Sequence, residues 1–391
     1  MFLITLITAL VVGSPFDPFP IAARPSGSFF DGWFLRVVDH AHGRSLAFIV
    51  GAYQPKGYPR AAYESSWVSV LVASEDGATV TEQTFAGDVN MTLLSARSPS
   101  SWPDQVSPPR FELSVPSLLT LRVDGDEVTL DANINGLRVD VHVSAPRAAW
   151  DASAPNGAGP EGALRHVPWA LPCHYFVHSL ASPARYTVHG VGDGVGDGVA
   201  MSGVGFAHLE TNYGALFPKA WVWVQGIDAL GTTQLLVTGG KFVVGGITTM
   251  TYIVAYRSPS AGALNFRTTD ADSITVLEQD ACAGRLSLGA APSLLSALWK
   301  RGLQISLSVS ASVASFSDPL FVPTAAGWSN DPGSVESFHA RADVRVAARG
   351  SGAGDAALES TSLTLVALEF GGDFRCTRSV PMAESVAARE L

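Results

Sequence analysis

The sequence predicts an all-β protein with two domains, each an antiparallel barrel or sandwich, and one or few short helices. Short strand-like segments recur along 391 residues, of which 38 are glycine, 24 are proline and only 15% are charged. This composition favours many turns and few exposed helices. At 47% hydrophobic residues the chain can bury a large core, and its length exceeds that of one ordinary domain.

Strands are predicted from periodicity. Residues 137–144 alternate strictly between apolar and polar side chains, as in a strand with one face on a core. Just before them, residues 120–130 predict a hairpin, because Asp124-Gly125 is a strong turn dipeptide. The same criteria predict further strands at residues 34–38, 45–52, 235–238, 249–256 and 363–370.

Composition shifts suggest the domain limits. The glycine-rich run at residues 190–205, which contains GVGDGVGDGV, predicts a connection, so we expect one domain over 25–195 and another over 196–391. Residues 145–168, rich in Pro, Gly and Ala, are expected to cross the surface. Residues 292–301 alone look helical, with Pro292 near the start and Gly302 just past the end.

The N-terminus has two interpretations. Residues 1–13 are apolar and too short to span a bilayer, which fits a signal or targeting segment within residues 1–24 and a secretory or organellar location. The alternative is an apolar first strand, because ITLITALVV is rich in β-branched residues. No later apolar segment is long enough to span a membrane as a helix, so any membrane contact is expected to be peripheral.

Charge and cysteines exclude several classes. The net charge of −10 argues against a nucleic-acid partner. No motif for a metal, a phosphate or a redox cofactor is present, so none is expected. The three cysteines lie far apart, which is compatible with one long-range disulfide and a free thiol, or with three buried thiols. The sequence gives no indication of the oligomeric state.

The most informative segment is residues 205–226, with the sequence GFAHLETNYGALFPKAWVWVQG. A strand here places Trp221, Trp223 and Gln225 on one side and two valines on the other, leaving no polar face for solvent. We therefore expect a strand with a core on one side and an aromatic-lined cavity on the other. Glu210, Asn212 and Tyr213 precede it by a few residues.

Two carboxyl groups are candidate proton donors. Asp31 lies between aromatic pairs in FFDGWF, and burial there would raise its pKa, as a general acid requires. The alternatives are an exposed turn before Gly32 or a pairing with Arg36. Glu210 is either a buried acid beside Asn212 and the tryptophans or a structural partner for Lys219 or an arginine.

Two histidine pairs are weaker candidates. His174 and His178 would share a strand face, and His174 is a candidate ligand contact; the alternative is two hydrogen-bonded histidines near a sheet edge. His40 and His42 flank a predicted turn, where metal ligation competes with a solvated role.

These motifs together resemble the tocopherol cyclase family. The family's first motif is matched by residues 29–34 with Arg36, and its central block by residues 210–214, Phe217-Pro218 and residues 221–225. Weaker matches are residues 170–178 and 236–240, so the likeness extends over residues 29–260. Asp31 stands where the family usually has Glu, and Tyr213 stands where Trp is common.

The resemblance implies two lipocalin-like domains around an apolar cavity, closure of a chromanol ring on a prenylated hydroquinone, and no cofactor or metal. Asp31 or Glu210 would protonate the alkene, and Asn212 or Gln225 would bind the quinol. The aromatic walls would come from Trp33, Tyr213, Trp221 and Trp223.

Two other functions remain open at the sequence level. One is a non-catalytic carrier of a hydrophobic ligand, and the other is a carotenoid or terpenoid hydratase, in which water captures the same cation. All three share a small hydrophobic partner. A plastid location would also follow from the resemblance.

Overall fold

The computed structural model describes residues 28–54, 66–77, 79–87, 90–93, 110–144, 148–151, 159–166, 171–190, 201–215, 217–244, 246–294, 296–298, 300–324, 327–352 and 354–376. Their regular structure is β-strand apart from short 3-10 turns of five residues or fewer, which confirms the predicted all-β fold. Within these residues, no helix is long and apolar enough to cross a membrane. The predicted signal segment lies outside them.

Eleven antiparallel strands form the first, nearly closed barrel, in the order β4-β3-β2-β1-β11-β10-β9-β8-β7-β6-β5. They are β1 (Phe29–Asp39), β2 (Arg44–Gln54), β3 (Ser66–Ala73), β4 (Thr79–Ala86), β5 (Asn90–Leu93), β6 (Arg110–Val115), β7 (Leu119–Asp124), β8 (Glu127–Ile134), β9 (Leu137–Val143), β10 (Cys173–His189) and β11 (Met201–Gly214).

The second barrel has ten strands, in the order β15-β14-β13-β12-β21-β20-β18-β17-β16, with β19 paired to β20. They are β12 (Ala220–Ile227), β13 (Gln234–Val244), β14 (Ile247–Ser258), β15 (Gly262–Arg267), β16 (Ser273–Asp280), β17 (Arg285–Ala291), β18 (Leu303–Ser310), β19 (Leu320–Thr324), β20 (Gly327–Ala348) and β21 (Glu359–Gly372).

The division between the sheets differs from the one expected at residues 195 and 196. Strand β11 pairs with both β1 and β10 inside the first sheet, so the chain passes between sheets at residues 215–219. The glycine-rich run therefore joins two neighbouring strands of one sheet. Its central residues 191–200 lie outside the described part of the chain. Glycines suit a turn between strands as well as a link between domains.

Three local expectations need correction. The hairpin turn is centred on Gly125-Asp126, one residue later than expected, and Gly125 has a φ of 71°. The expected helix at residues 292–301 is reduced to a 3-10 turn at Ser296–Leu298. In the stretch expected to cross the surface, Trp150 and Glu161 are instead buried, because each packs between elements of the fold.

The barrels have separate, filled cores and a third apolar cluster between them. Strand β12 links the two environments, because Val222 and Val224 belong to the second core while Trp223 belongs to the cluster between the barrels. The predicted strand with core on one side and aromatic residues facing a second environment is thus observed. A disulfide joins Cys282 to Cys376, and Cys173 is a free thiol.

Candidate active site

A cavity of about 540 Å³ lies between the two barrels, a size typical of small-molecule sites. Strands β1–β3, β10 and β11 form one wall, and β12–β14 with β19–β21 form the other. Aromatic rings dominate its lining: Phe30, Phe34, Trp67, Tyr175, Phe217, Trp221, Trp223, Phe242, Tyr252, Phe321 and Trp328.

Glycines at the cavity wall leave space that a side chain would otherwise fill. Gly32 and Gly51 are direct partners on β1 and β2, and both border the cavity. A Cβ at Gly51 would lie 2.7 Å from the Trp328 ring, and one at Gly371 would lie 2.0 Å from the Trp221 ring. The space that these missing side chains leave is therefore shared between tryptophan rings and the cavity.

Two glutamates of the second barrel face each other at the centre of the cavity wall. Glu336 on β20 is the direct partner of Glu369 on β21, and Trp223 on β12 is the next partner of Glu369. Burial raises the pKa of Glu369 to about 7, and repulsion from Glu210 adds to this, against a 2.9 Å hydrogen bond donated by Trp221 Nε1. Burial, then the charge of Glu369, raises the pKa of Glu336 well above its usual range. This pair therefore holds protons near neutral pH.

Glu210 reaches the same cavity from the first barrel and has different partners. Its Oε2 lies 2.7 Å from His208 Nε2 and accepts a hydrogen bond from the Tyr175 hydroxyl. The Tyr175 oxygen in turn accepts a 3.3 Å bond from Trp223 Nε1 on the second barrel. Burial and the neighbouring Glu210 raise the pKa of Tyr175 well above its usual range. Contacts to His208 and Tyr175 thus fix the position of the Glu210 carboxyl group.

A buried arginine closes the interface beside this network. Arg36 Nη1 donates to Gln225 O at 3.0 Å and to Gln225 Oε1, and Nη2 donates to Ser45 Oγ at 3.0 Å and Leu365 O at 2.5 Å. Burial lowers the pKa of Arg36 to about 9, although the nearby Glu336 opposes the shift. The guanidinium also lies 4.9 Å from the Phe338 ring centroid.

Six residues predicted from the sequence border the cavity: Asp31, Trp33, Glu210, Asn212, Trp221 and Trp223. The side chains of Glu210, Asn212, Trp221 and Trp223 face the space between the barrels. Gln225 lies on the same face of β12 but is fully buried, and it binds Arg36. Its amide therefore helps to close the contact between the two barrels beside the cavity.

The side chains of Asp31 and Trp33, and those of His174 and Tyr213, lie on the opposite face of the first sheet, as strand alternation and the register of β1, β11 and β10 dictate. Asp31 is buried within β1, not in an exposed turn, and its carboxylate accepts a 3.3 Å bond from Thr211. Trp33, two residues on, belongs to the first barrel's core and stacks on His178.

His174 and Tyr213 are direct strand partners on that same face, and their rings stack at 5.2 Å. His174 also lies 3.0 Å from Glu161. Strand alternation thus directs these side chains away from the cavity centre.

The turn histidines have structural partners, one on the same turn and one in the second barrel. His42 Nδ1 lies 2.8 Å from Asp39, and His40 Nε2 lies 2.8 Å from the Ile227 carbonyl. Among the described residues, no three His, Cys, Asp or Glu side chains are grouped as a metal site requires.

Glu336, Glu369, Tyr175 and Trp67 were missed from the sequence. Glu369 could have been singled out, because residues 363–370, LTLVALEF, predict an apolar strand in which a lone glutamate is costly to bury. The sequence around Glu336 and Trp67 has no such feature, since only tertiary contacts place them on the cavity.

Fold and site together define a two-barrel β protein with a ligand-sized, acid-containing cavity between the barrels. No protein-family model matches the chain, and no curated protein matches it. The chain is similar to CghA crystallised with Sch210972, at 12% identity over 88% of each chain and a TM-score of 0.56.

Two further solved structures are similar at 10% identity and a TM-score of 0.46. One is kievitone hydratase from Nectria haematococca, with 89% of each chain covered. The other is a Nitrosomonas europaea protein provisionally assigned as AttH, with 93% of this chain and 98% of that chain covered. At 12% identity and a TM-score of 0.56, the similarity to CghA shows that the two proteins share a fold.

Proposed function

We propose that this protein is an intramolecular cyclase that closes a chromanol ring on a prenylated hydroquinone in the cavity between the barrels. The observation that carries the proposal is Glu369, a cavity-lining carboxyl group with a pKa of about 7 between two tryptophans. A protonated carboxylic acid beside aromatic faces is what alkene protonation requires.

The first step is proton transfer from Glu369 to the less substituted carbon of the trisubstituted alkene. A C–H bond forms, the alkene π bond breaks and a tertiary cation results, while Glu369 becomes a carboxylate. Trp221, Trp223 and Phe34 border the cavity beside this acid, and their ring faces stabilise a nearby cation. The apolar walls also limit the access of water, which would otherwise capture the cation.

The second step is attack of the phenol oxygen on the cation, which forms the C–O bond and releases the phenolic proton. Glu210 is the proposed acceptor of this proton, through the Tyr175 hydroxyl that it holds. Glu369 then regains a proton from solvent and Glu210 releases one, so the net reaction is an isomerisation. Two carboxyl groups in different environments are a recurring basis for such acid–base pairs.

The fold is compatible with this use, since CghA has been crystallised with Sch210972 in the same fold. The two acids proposed from the sequence enter the scheme differently. Glu210 faces the cavity and is the base, whereas the Asp31 carboxylate lies on the opposite face of its sheet. We therefore place the proton donor at Glu369.

The test is turnover of a prenylated hydroquinone in D₂O under anaerobic conditions. The wild type is expected to release a chromanol with one deuterium at the protonated carbon. Glu369→Gln is expected to lower kcat about 10²–10⁴-fold, Glu210→Gln to lower it less, and Asp31→Asn to leave it nearly unchanged. A product heavier by one water would identify a hydratase, and binding without turnover by the wild type would identify a carrier. Full activity of Glu369→Gln would remove Glu369 from the donor role.

A further inference from the structure

The cavity continues past the acids along the second barrel, over strands β13 and β14. Trp221 on β12 is the direct partner of Gly240 on β13, and Gly240 is in turn the partner of Thr251 on β14. Direct partners in antiparallel strands share one face of the sheet. All three residues line the cavity, so the same face borders it across three strands.

The outer face of the second barrel forms this extension, which we call the passage. Val237 and Val254 of the same two strands belong to the core of the barrel, and the residues next to them along the chain point the other way. The residues of β13 and β14 that line the cavity on this outer face are Thr238, Gly240, Phe242, Thr249, Thr251 and Ile253.

Two glycines make room for apolar rings at the entrance of the passage. On the β21 side, the Trp221 ring lies 2.0 Å from the position that a Cβ on Gly371 would take. On the β13 side, a Cβ on Gly240 would lie 2.8 Å from the Phe242 ring and 3.4 Å from Pro218. Apolar surface therefore continues from Trp221 to Phe242.

Exposure increases along this face with distance from the acids. Trp221 is 9% exposed and Gly240 is buried. Phe242 and Thr251 are half-buried, and Thr249, the strand partner of Phe242, is exposed. The described residues of β13 and β14 that line the cavity carry no charge. From β21 to β14 this uncharged wall crosses three strand spacings, about 14 Å, and it leads from the acids to solvent.

We propose that the passage binds the part of the substrate's isoprenoid chain that lies beyond the reacting alkene, and that Phe242 and Thr251 set the chain length that the protein accepts. The inference rests on the proposed function in one respect, the identity of the chain. Ring closure uses only the alkene nearest the aromatic ring, so the rest of the chain has to continue from Glu369 into another part of the cavity. The passage begins at Trp221, which donates a hydrogen bond to Glu369. Its uncharged wall suits a hydrocarbon, because no charged group there loses hydration when the chain binds.

Binding of saturated alkylhydroquinones tests the passage without turnover, because these compounds have no alkene to protonate. The probes are butylhydroquinone, octylhydroquinone and a hydroquinone that carries an oligoether chain as long as octyl. Calorimetry on the full chain is expected to show that the wild type binds the octyl probe about 10²-fold more tightly than the butyl probe, at roughly fourfold for each buried methylene. The oligoether is expected to bind about as weakly as the butyl probe, because its oxygens lose hydration on binding.

Thr251→Phe fills the passage at a half-buried position. This variant is expected to bind the octyl probe no more tightly than the butyl probe, with the butyl affinity nearly unchanged. Thr248→Phe is the matched control, because it adds the same ring to an exposed position on the opposite face of β14, and it should keep the full preference for octyl. Should Thr251→Phe fail to fold, Phe242→Ala is a second variant, expected to weaken the octyl probe about tenfold and the butyl probe hardly at all.

A preference for octyl that survives in Thr251→Phe, or an oligoether that binds as tightly as octyl, would overturn the passage. Equal wild-type affinities for the octyl and butyl probes, or no affinity for either, would also overturn it. Failure of the proposed cyclisation is separate, since it appears as a lack of turnover in D₂O and leaves the chain-length preference intact.

Discussion

The interface between the barrels has two halves of opposite character. On one half, Arg36 is fully buried and reaches across to Gln225 and Leu365 of the second barrel. On the other half, two residues back along the same strand face, Phe34 borders a cavity that contains Glu336 and Glu369. One face of β1 therefore passes from a hydrogen-bonded seal to a ligand-sized space.

The difference lies in side-chain size and in the type of partner. In the sealed half, the Arg36 guanidinium donates hydrogen bonds to neutral carbonyl and amide oxygens, which replace the water it loses on burial. In the hollow half, Gly32 and Gly51 present no side chain, and the opposing acids keep their protons. A rigid seal next to a space fixes the distance between the barrels and so the width of the cavity. Substitutions at Arg36, Glu369 and Gly51 test this division.

Arg36→Met removes the seal and has the largest expected effect on stability. Gln225 Oε1, the Leu365 carbonyl and other buried acceptors lose their donors, and unsatisfied buried groups cost about 1–3 kcal/mol each. We expect the free energy of unfolding in urea to fall by about 4 kcal/mol. The surface variant Arg138→Met, which breaks only exposed ion pairs to Asp131 and Asp140, is the control and should cost less than about 1 kcal/mol. Equal losses in the two variants would contradict a role for Arg36 as the seal.

The raised pKa of Glu369, in the hollow half, predicts that the stability of the protein depends on pH. The folded protein keeps this proton up to about pH 7, whereas the unfolded chain loses it near 4.5. The contribution of this pKa shift to the free energy of unfolding is therefore fully present below pH 4.5. It is lost as the pH rises through 7, and the free energy of unfolding then falls by up to about 3 kcal/mol. Urea unfolding at pH 5.0 and 7.5 should show this decline in the wild type and a smaller one in Glu369→Gln. An identical pH profile for the variant would show that Glu369 titrates normally.

Gly51→Ala narrows the cavity and has the smallest expected effect on stability. The new Cβ would lie 2.7 Å from Trp328, so the ring must shift, at about 1–2 kcal/mol for overpacking. Binding of an alkylated hydroquinone with a saturated side chain, which cannot be cyclised, is expected to weaken about tenfold, because the ring moves into the ligand's space. Gly302→Ala, where a Cβ meets nothing within 4 Å, should leave affinity unchanged. Unchanged affinity in Gly51→Ala would mean that the ligand binds elsewhere.

Much of the fold was predictable because strand periodicity is local. The alternation over residues 137–144 corresponds to β9, and the two-faced run at residues 221–225 corresponds to β12 with its valines in a core and its tryptophans on the cavity. The sheet division was misplaced, since the glycine signal does not say whether the strands it joins share a sheet. That depends on the pairing of β11 with β1, which lies about 170 residues away in sequence.

The site was predictable only in part. Glu210 faces the cavity as its neighbours suggested, but Asp31 does not, because one step along a strand reverses the direction of the side chain. Glu369 lay within a predicted strand, yet its altered pKa depends on burial together with Trp221, Ser334 and Glu210. These residues come from four strands and two barrels, and no spacing in the sequence relates them.

Because hydrophobic alternation acts over a few residues, the all-β class, the main strands and an aromatic surface could all be predicted locally. Tertiary contacts were needed to show that this surface faces a second barrel, that Arg36 seals one half of the contact and that Glu336 and Glu369 meet in the other. Burial and charge act through space on whichever groups the fold brings together. The acidity of the site is therefore a property of the packed barrels.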